Sequence, residues 1–421
     1  MDKSKKAVIV GQGYVGLPVA MRAVEVGYDV VGLDIDERRI AALSQGESFV
    51  GDITSEELRY GLDSGRYLPT TSYIDATGFD FAVITVPTPL KESLPDLSYI
   101  TDSAKALAQF ITRGATVILE STTHPGTTEE LLVPILEAGS GLTADVDFYV
   151  GYSPERIDPG NKVWGFVETP KVVSGLGPES LVRVKDFYDS LVERTVPVGT
   201  PREAEMTKLL ENTFRHVNIA LVNELAVYAH ALGIDLWESI DAASTKPFGY
   251  MKFVPGPGVG GHCLPVDPSY LSWHVRRQLG HAFRFVELAN DINDHMPDYV
   301  VRRLLMSLNN VGKPLKGSRI LMVGLAYKKN TGDVREAPSL RIRELLEEFG
   351  AIVLGVDDLV EDHHWPKEML RGKLDAETVS NSDAVLLVTD HDYLDLNILD
   401  NSDVPVLDTK NALKGASVEH L

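Results

Sequence analysis

The chain has 421 residues, 44% of them apolar and 24% charged, with one cysteine and 40 Lys and Arg against 61 Asp and Glu, a formal charge of −21 at pH 7. At roughly 100–200 residues per domain this length implies two or three domains, and the composition excludes collagen-like, disordered and disulfide-scaffold chains. A single thiol cannot form an internal bridge, which points to a reducing, cytoplasmic setting, and the excess of acid excludes non-specific binding to nucleic acid or an anionic membrane.

The N-terminus is basic and then apolar, but the run 7–10 stops at Gly11, too short for the apolar region of a secretion signal. No stretch approaches the ~18 apolar residues of a spanning helix, so the protein is expected free in solution, away from membranes. Residues 5–10 read as a buried strand, 17–26 as a helix and 29–33 as a second strand that ends at Asp34. Strand, glycine turn, helix, strand and terminal acid make one βαβ unit. The alternation continues with helix 37–44, strand 81–85, helix 98–110, strand 116–120, helix 127–138 and strand 148–151. That rhythm predicts a parallel sheet with crossover helices, hence an α/β domain over 1–200.

In the turn Gly11-Gln12-Gly13-Tyr14-Val15-Gly16 the first glycine permits the tight turn and the second lets a pyrophosphate approach the backbone. The third lets helix pack on strand, and the helix N-terminus supplies partial positive charge. Asp34 stands 18 residues after Gly16, placed to accept hydrogen bonds from a ribose diol and to repel a 2′-phosphate. NAD is therefore favoured over NADP. The loop Thr85-Val86-Pro87-Thr88-Pro89, at a strand's C-terminal end, is expected to line the same crevice; the alternative is a rigid loop with no ligand contact. Tyr152-Ser-Pro-Glu155-Arg156-Ile-Asp158-Pro-Gly160 also begins where a parallel strand should end, and Glu155 is either a general base or a carboxylate on a surface turn.

From Pro201 the rhythm breaks, and 203–232 reads as one helix with no internal Gly or Pro, longer than a typical domain helix and suited to connect domains and subunits. Lys208, Asn212 and Arg215 share one face of it by i, i+4, i+7 spacing. They form either a solvated stripe or a site wall; apolar Leu209, Leu210, Phe214, Val217, Ile219 and Leu221 around them argue for burial and hence for an anionic ligand as partner. The lone cysteine lies in Pro255-Gly-Pro-Gly258-Val-Gly260-Gly-His262-Cys263-Leu-Pro-Val-Asp267. Among glycines rather than core residues, with exposed backbone N–H groups and His262 to favour thiolate and Asp267 close by, Cys263 reads as a nucleophile. One thiol is too few for the usual multi-cysteine zinc site, and no metal is expected. Helix-like sequence runs on to 309, closing a middle segment 201–311. A second α/β unit over 312–421 then opens with a loop at 312–317 and continues as strand 319–324, helix 339–349, strand 352–356 and strand 384–389. After its first strand, Lys328, Lys329 and Arg335 make a candidate anion pocket.

These motifs, in this order, resemble the nucleotide-sugar 6-dehydrogenases, the UDP-glucose and UDP-N-acetylhexosamine dehydrogenase family. The resemblance runs from GQGYVGLPVA through VPTP, ESTTHPGT, YSPERIDPG, EMTKLLENTFRHVNIALVNELA and GPGVGGHCLPVDP to GLAYKKNTGDVREAP. It implies two Rossmann-like, doubly wound domains joined by a long central helix, the first binding NAD, the last binding the UDP moiety, and a homodimer or higher homo-oligomer formed through the helix. It also implies a four-electron oxidation at C6 of the sugar, with Cys263 capturing the aldehyde as a thiohemiacetal that becomes a thioester and is hydrolysed to the uronate. By similarity, Lys208 and Asn212 stabilise oxyanions, Lys208 and Asp267 assist proton transfer, Glu155 is the hydrolytic base and Thr122 holds water. The cofactor would lie on Gly11, Gly13, Tyr14, Val15, Gly16, Asp34, Thr85, Val86, Pro87, Thr122 and Arg335. The substrate would lie on Glu155, Arg156, Lys208, Asn212, Arg215, Pro255, Gly258, Gly260 and Lys328.

The UDP-glucose branch usually reads Gly-Gly-Ser-Cys where this chain has His262 before Cys263, and carries an arginine where Pro247 stands here. Those departures, with Lys246 and the Arg215-His-Val-Asn218 segment, are more similar to the N-acetylhexosamine branch, UDP-GlcNAc ahead of UDP-ManNAc and UDP-glucose. Two other readings stay open: a two-electron dehydrogenase of the β-hydroxyacid type, which lacks a purposeful cysteine and the C-terminal unit, and a non-catalytic nucleotide-sugar sensor.

Overall fold

The computed structural model describes residues 4–91, 94–157, 161, 163–261 and 264–421. The chain divides into two compact units, 1–211 and 212–421. Each is built on a sheet whose central strands are apolar on both faces, because helices cover both sides and leave no solvated face.

In the first unit β1 (Lys6–Val10), β2 (Asp29–Leu33), β3 (Tyr67–Thr70), β4 (Phe81–Ile84), β7 (Thr116–Leu119), β8 (Tyr149–Tyr152), β9 (Lys171–Gly175) and β10 (Thr195–Pro197) lie in the order β10-β9-β8-β7-β4-β1-β2-β3, while β5 (Leu90–Lys91) and β6 (Leu94–Pro95) form a separate two-stranded ribbon. The chain leaves β1 towards β2 on one side and β4 joins on the other, so the switch point of the sheet falls beside the glycine turn. Successive residues of β1 serve opposite cores: Val8 and Val10 pack in one cluster, Ala7 and Ile9 in the other.

Three features depart from the sequence reading. β8 and β9 pair antiparallel, so the sheet is not wholly parallel. The helix expected over 127–138 opens as a wide π turn, Thr128–Leu132, and continues as Val133–Ser140; Pro134, with no N–H and a ring that crowds the preceding turn, accounts for the break. The sequence reading also placed no helix at Ser55–Asp63 or Pro178–Asp189; the first is started by a reciprocal Thr54–Glu57 capping box.

The long helix runs Pro201–Leu232, with proline in its first turn, and ends at Gly233, whose φ of +68° suits the left-handed position after a helix. The second unit adds helices Leu236–Ser244, Asp267–Leu279, Arg284–Asp294 and Met296–Asn310. Its sheet then follows, with β11 (Arg319–Val323), β12 (Ile352–Val356), β13 (Leu370–Arg371), β14 (Ala384–Leu387), β15 (Val406–Asp408) and β16 (Val418–His420) in the order β13-β12-β11-β14-β15-β16, parallel throughout.

Candidate functional site

In the first unit the glycine turn leaves β1 and enters the helix Gly16–Glu25. Gly11 has a φ of +94°, and a Cβ at Gly16 would stand 1.8 Å from the Gly11 carbonyl oxygen, so both positions need glycine for the fold. A Cβ at Gly13 would meet no protein atom within 4 Å. That open space over the backbone, at a helix N-terminus, fits a pyrophosphate. Asp34, buried at the end of β2, accepts the Gln12 amide (2.9 Å) and the Asp36 amide (2.9 Å), with Arg39 at 3.4 Å. Tyr14 is exposed and Val15 half-buried above the turn. The residues present therefore fit NAD.

The loops after β1, β4 and β7 are laced together. Thr85 Oγ1 donates to the carbonyls of Val10 and Gly11, Ser121 Oγ to that of Val86, and Thr88 Oγ1 to that of Thr122. Pro87 stays exposed between them. Glu120, just beyond β7, and Lys171, at the start of β9, form a buried ion pair, and the Lys171 ammonium also reaches Glu155 Oε2 at 3.2 Å. The other Glu155 oxygen accepts the amides of Arg156 and Ile157, each at 2.6 Å. Lys208, 8% exposed on the long helix, donates to the Glu155 carbonyl at 2.6 Å. Burial alone would raise the Glu155 pKa, but Lys171, the Ile157 amide and Lys208 outweigh it and hold it below the ordinary carboxylate value. At Glu120 burial wins over Lys171 and the pKa is raised. Glu155 is thus no surface-turn carboxylate. Arg156 is forked on Glu211 and donates to the Pro170 carbonyl.

In the second unit Asn212, 5% exposed, donates its amide to Asp267 Oδ2 at 2.5 Å, and Asp267 opens the helix Asp267–Leu279. The loop 255–261 packs its backbone on the loop 324–338: a Cβ at Gly260 would stand 2.7 Å from the Glu336 carbonyl oxygen, and one at Gly261, where φ is +86°, 2.7 Å from the Tyr327 ring. The Gly261 amide donates to the Arg335 carbonyl and the Gly256 amide to Asn223 Oδ1. The expectation of exposed N–H groups is therefore corrected at Gly256 and Gly261, and close packing demands glycine at Gly260 and Gly261. Pro255 is buried, Gly258 half-buried against Pro338. Cys263 and His262 lie outside the described residues, as do Asp158, Pro159 and Gly160.

Of the basic cluster after β11, Lys328 is half-buried, Lys329 pairs with Asp390 and Asp392, and Arg335 is forked on Asp333. Arg215 is exposed, and so are Leu210, Phe214 and Leu221, so of the three polar residues expected on this helix face Lys208 and Asn212 are buried, with Leu209 beside them, and Arg215 is not. Three groups escaped the sequence reading. Glu120 and Lys171 sit beside β7 and β9, at strand ends where ligand residues gather, but their partnership spans 51 residues of chain. Lys410 follows β15, and its Nζ lies 3.8 Å from where a Gly256 Cβ would stand; burial lowers its pKa, and no hydrogen bond or ion pair reaches its ammonium among the described residues. Asp357, at the end of β12, accepts the amides of Leu325 and Ala326 and pairs with buried His391, as Asp34 accepts Gln12 in the first unit. Among the described residues Glu361, His363 and His364, all exposed, bring ligand atoms within 4.8 Å of one another.

Comparison with known proteins gives three matches along the chain. The NAD binding domain of the UDP-glucose/GDP-mannose dehydrogenase family matches 5–192, its central domain 202–295 and its UDP binding domain 321–415. Protein CapL of Staphylococcus aureus is 38% identical over 396 residues, 93% of this chain and 91% of CapL. A UDP-N-acetyl-D-glucosamine 6-dehydrogenase of Pseudomonas aeruginosa is 39% identical over 354 residues, 82% of this chain and 81% of the relative. The solved structure of UDP-D-ManNAc dehydrogenase from Pyrococcus horikoshii superimposes with a TM-score of 0.89 at 33% identity, covering 99% of this chain and 98% of that one. No helix among the described residues is long and apolar enough to cross a membrane.

Proposed function

This chain belongs to the UDP-glucose/GDP-mannose dehydrogenase family, and from that premise we propose that it oxidises C6 of a UDP-N-acetylhexosamine, UDP-GlcNAc in preference to UDP-ManNAc or UDP-glucose, from alcohol to uronate. The observation that carries this reading is that the polar groups it needs are buried and held by one another: Lys208 on Glu155, and Asn212 on Asp267. Relatives named for UDP-GlcNAc and for UDP-ManNAc both match this chain, so the choice of sugar rests on the sequence around His262 and Pro247.

NAD, when bound, accepts a hydride in each of two successive oxidations. The residues do the rest. Cys263 adds to the aldehyde, its proton passing to the aldehyde oxygen, so that the carbon is tetrahedral when the second hydride leaves; the hydroxyl proton lost in each oxidation departs through water with the help of Lys208 and Asp267, and a thioester remains. Glu155 takes a proton from water, whose oxygen bonds to the thioester carbon; the thiolate departs and is reprotonated, and the acid is released. Lys208 and Asn212 donate to the oxyanion at each tetrahedral stage, Asp267 holds the Asn212 amide in place, and Thr122 orients water. Gly11, Gly13, Gly16 and Asp34 cradle the cofactor with Thr85, Val86, Pro87 and Arg335; Lys328 and Lys410 hold the diphosphate, and Arg156, Arg215, Pro255, Gly258 and Gly260 line the sugar nucleotide. The three-part organisation 1–200, 201–311 and 312–421 follows. Exposed Phe214, Leu221, Leu225, Tyr228 and Leu232 repeat at helical spacing along the long helix, and a homodimer would cover them.

A panel of UDP-hexoses scored for NADH tests the proposal. Two NADH per molecule of UDP-GlcNAc, lost in Cys263→Ala, is the expected result. One NADH with an aldehyde or ketone product would establish the two-electron rival, and binding without NADH the sensor.

A further inference from the structure

The first unit holds more buried charge at Glu155 than a hydrolytic base requires. A single lysine would fix the carboxylate. Instead the Lys171 ammonium, 4% exposed, is shared between Glu155, 12% exposed, and the fully buried Glu120. Glu120 also accepts the Tyr188 hydroxyl at 3.0 Å, and the rings of Tyr188 and Phe166 flank the ammonium at 5.3 and 5.5 Å. Among the described residues, the other groups on Glu155 are the Arg156 and Ile157 amides and Lys208.

Resting on the reading of Glu155 as the base that activates water, we propose that Lys171 and Glu120 are its positioning residues: Lys171 pins one carboxylate oxygen, and Glu120, by drawing on the same ammonium, keeps Glu155 basic enough to accept water's proton. A lysine given wholly to Glu155 would hold it ionised but would make it a poor base, since proton-transfer efficiency follows base strength. A second carboxylate on the far side of the ammonium offsets that loss. The offset is strong because Glu120 and Lys171 are buried and Glu155 is only 12% exposed, so water screens the three charges little. Burial raises the Glu120 pKa while Glu155 is held low, an unequal division consistent with a shared cation. Neither Glu120 nor Lys171 exchanges a proton in the step; the proton from water passes to Glu155 alone.

The test compares Glu120→Gln, Lys171→Arg and Lys171→Met. In Glu120→Gln the ammonium serves Glu155 undivided at every pH, so the acid limb of the kcat profile stays at the Glu155 ionisation, the further rise in kcat that follows Glu120 ionisation is lost, and the plateau falls roughly three- to tenfold. KM for UDP-sugar and for NAD stays within about twofold of wild type. In Lys171→Met the limb moves to higher pH, and Lys171→Arg restores the wild-type position. Loss of the upper rise in one variant and movement of the acid limb in another are not what general loosening produces. A Glu120→Gln profile that superimposes on wild type overturns the proposal. Infrared titration of protein carrying 13C-glutamate reads the same shell without turnover: wild type should show, beside the buried carboxyl of Glu205, a second one that ionises above the ordinary glutamate range and is absent in Glu120→Gln. Its absence from wild type refutes the shared-cation arrangement, whereas its presence in a protein that makes no NADH from any UDP-hexose would sink the proposed function and leave the arrangement standing.

Discussion

Gly13→Ala separates folding from cofactor binding. The added methyl group meets nothing of the protein within 4 Å, so the variant should unfold within about 0.5 kcal/mol of wild type. The same methyl occupies the space through which a pyrophosphate would reach the turn. Holding the phosphates off the backbone forfeits one charge-assisted hydrogen bond, about 1.5–3 kcal/mol, or roughly 10- to 100-fold in the Kd for NAD. Gly16→Ala is the contrast: its methyl would lie 1.8 Å from the Gly11 carbonyl and 2.5 Å from Thr85 Oγ1, so the helix must part from the turn, and about 1–3 kcal/mol of stability goes with it. Calorimetric titration with NAD, paired with thermal denaturation, reads both quantities, and UDP titration supplies a control on the second unit. Wild-type NAD affinity in Gly13→Ala would refute the placement of the pyrophosphate over that residue. A large stability loss in the same variant would refute the claim that the space above it belongs to a ligand.

Lys410→Met should raise the melting temperature of the ligand-free protein while weakening UDP binding roughly 10- to 100-fold, since it removes a half-buried ammonium that has lost part of its solvent and that we propose meets the diphosphate. The sign follows from the lowered pKa: at neutral pH the folded state carries a charge it holds less readily than the unfolded chain, so wild-type stability improves as pH rises from the folded pKa towards the unfolded value, and the variant lacks that gain. Unchanged UDP affinity would discard Lys410 as a ligand residue. For Asp357 burial alone raises the pKa, but His391 and the Leu325 and Ala326 amides outweigh it and the net shift is downward. Its stabilisation is then present above the unfolded carboxylate pKa and lost as pH falls through the lower folded value; Asp357→Asn should cost about 1–3 kcal/mol at neutral pH and flatten that acid limb, measured by urea denaturation across pH. Asn212→Ala removes a buried donor from Asp267 and should destabilise by about 1–3 kcal/mol by chemical denaturation, with kcat falling more than KM rises in turnover; loss of stability with kcat intact would restrict the pair to a structural part.

The α/β class, the two sheets and the family were legible in residue order, because each rests on local periodicity or on motifs whose spacing is itself the signal. Strands Asp29–Leu33 and Ile352–Val356 and helix Glu37–Ser44 stand where apolar runs and turn residues mark them, the helix capped by Asp36. The glycine turn and its acid were equally plain, since a ligand that touches backbone leaves few residue choices. The antiparallel β8–β9 pair was not, for nothing within Lys171–Gly175 says which way its partner runs. Nor did helical spacing foretell that Lys208 and Asn212 would be buried while Arg215, Phe214 and Leu221 stay exposed. Periodicity assigns residues to a face, but what covers that face is decided by chain segments far away. Glu120 and Lys171 show this most clearly: 51 residues apart, each looks like an ordinary surface charge in sequence, and only sheet pairing and the closing of the core around them remove water and leave each as the other's compensation. Local order thus determined the elements and the ligand-facing backbone, and long-range packing determined which charges lost their solvent and had to find one another.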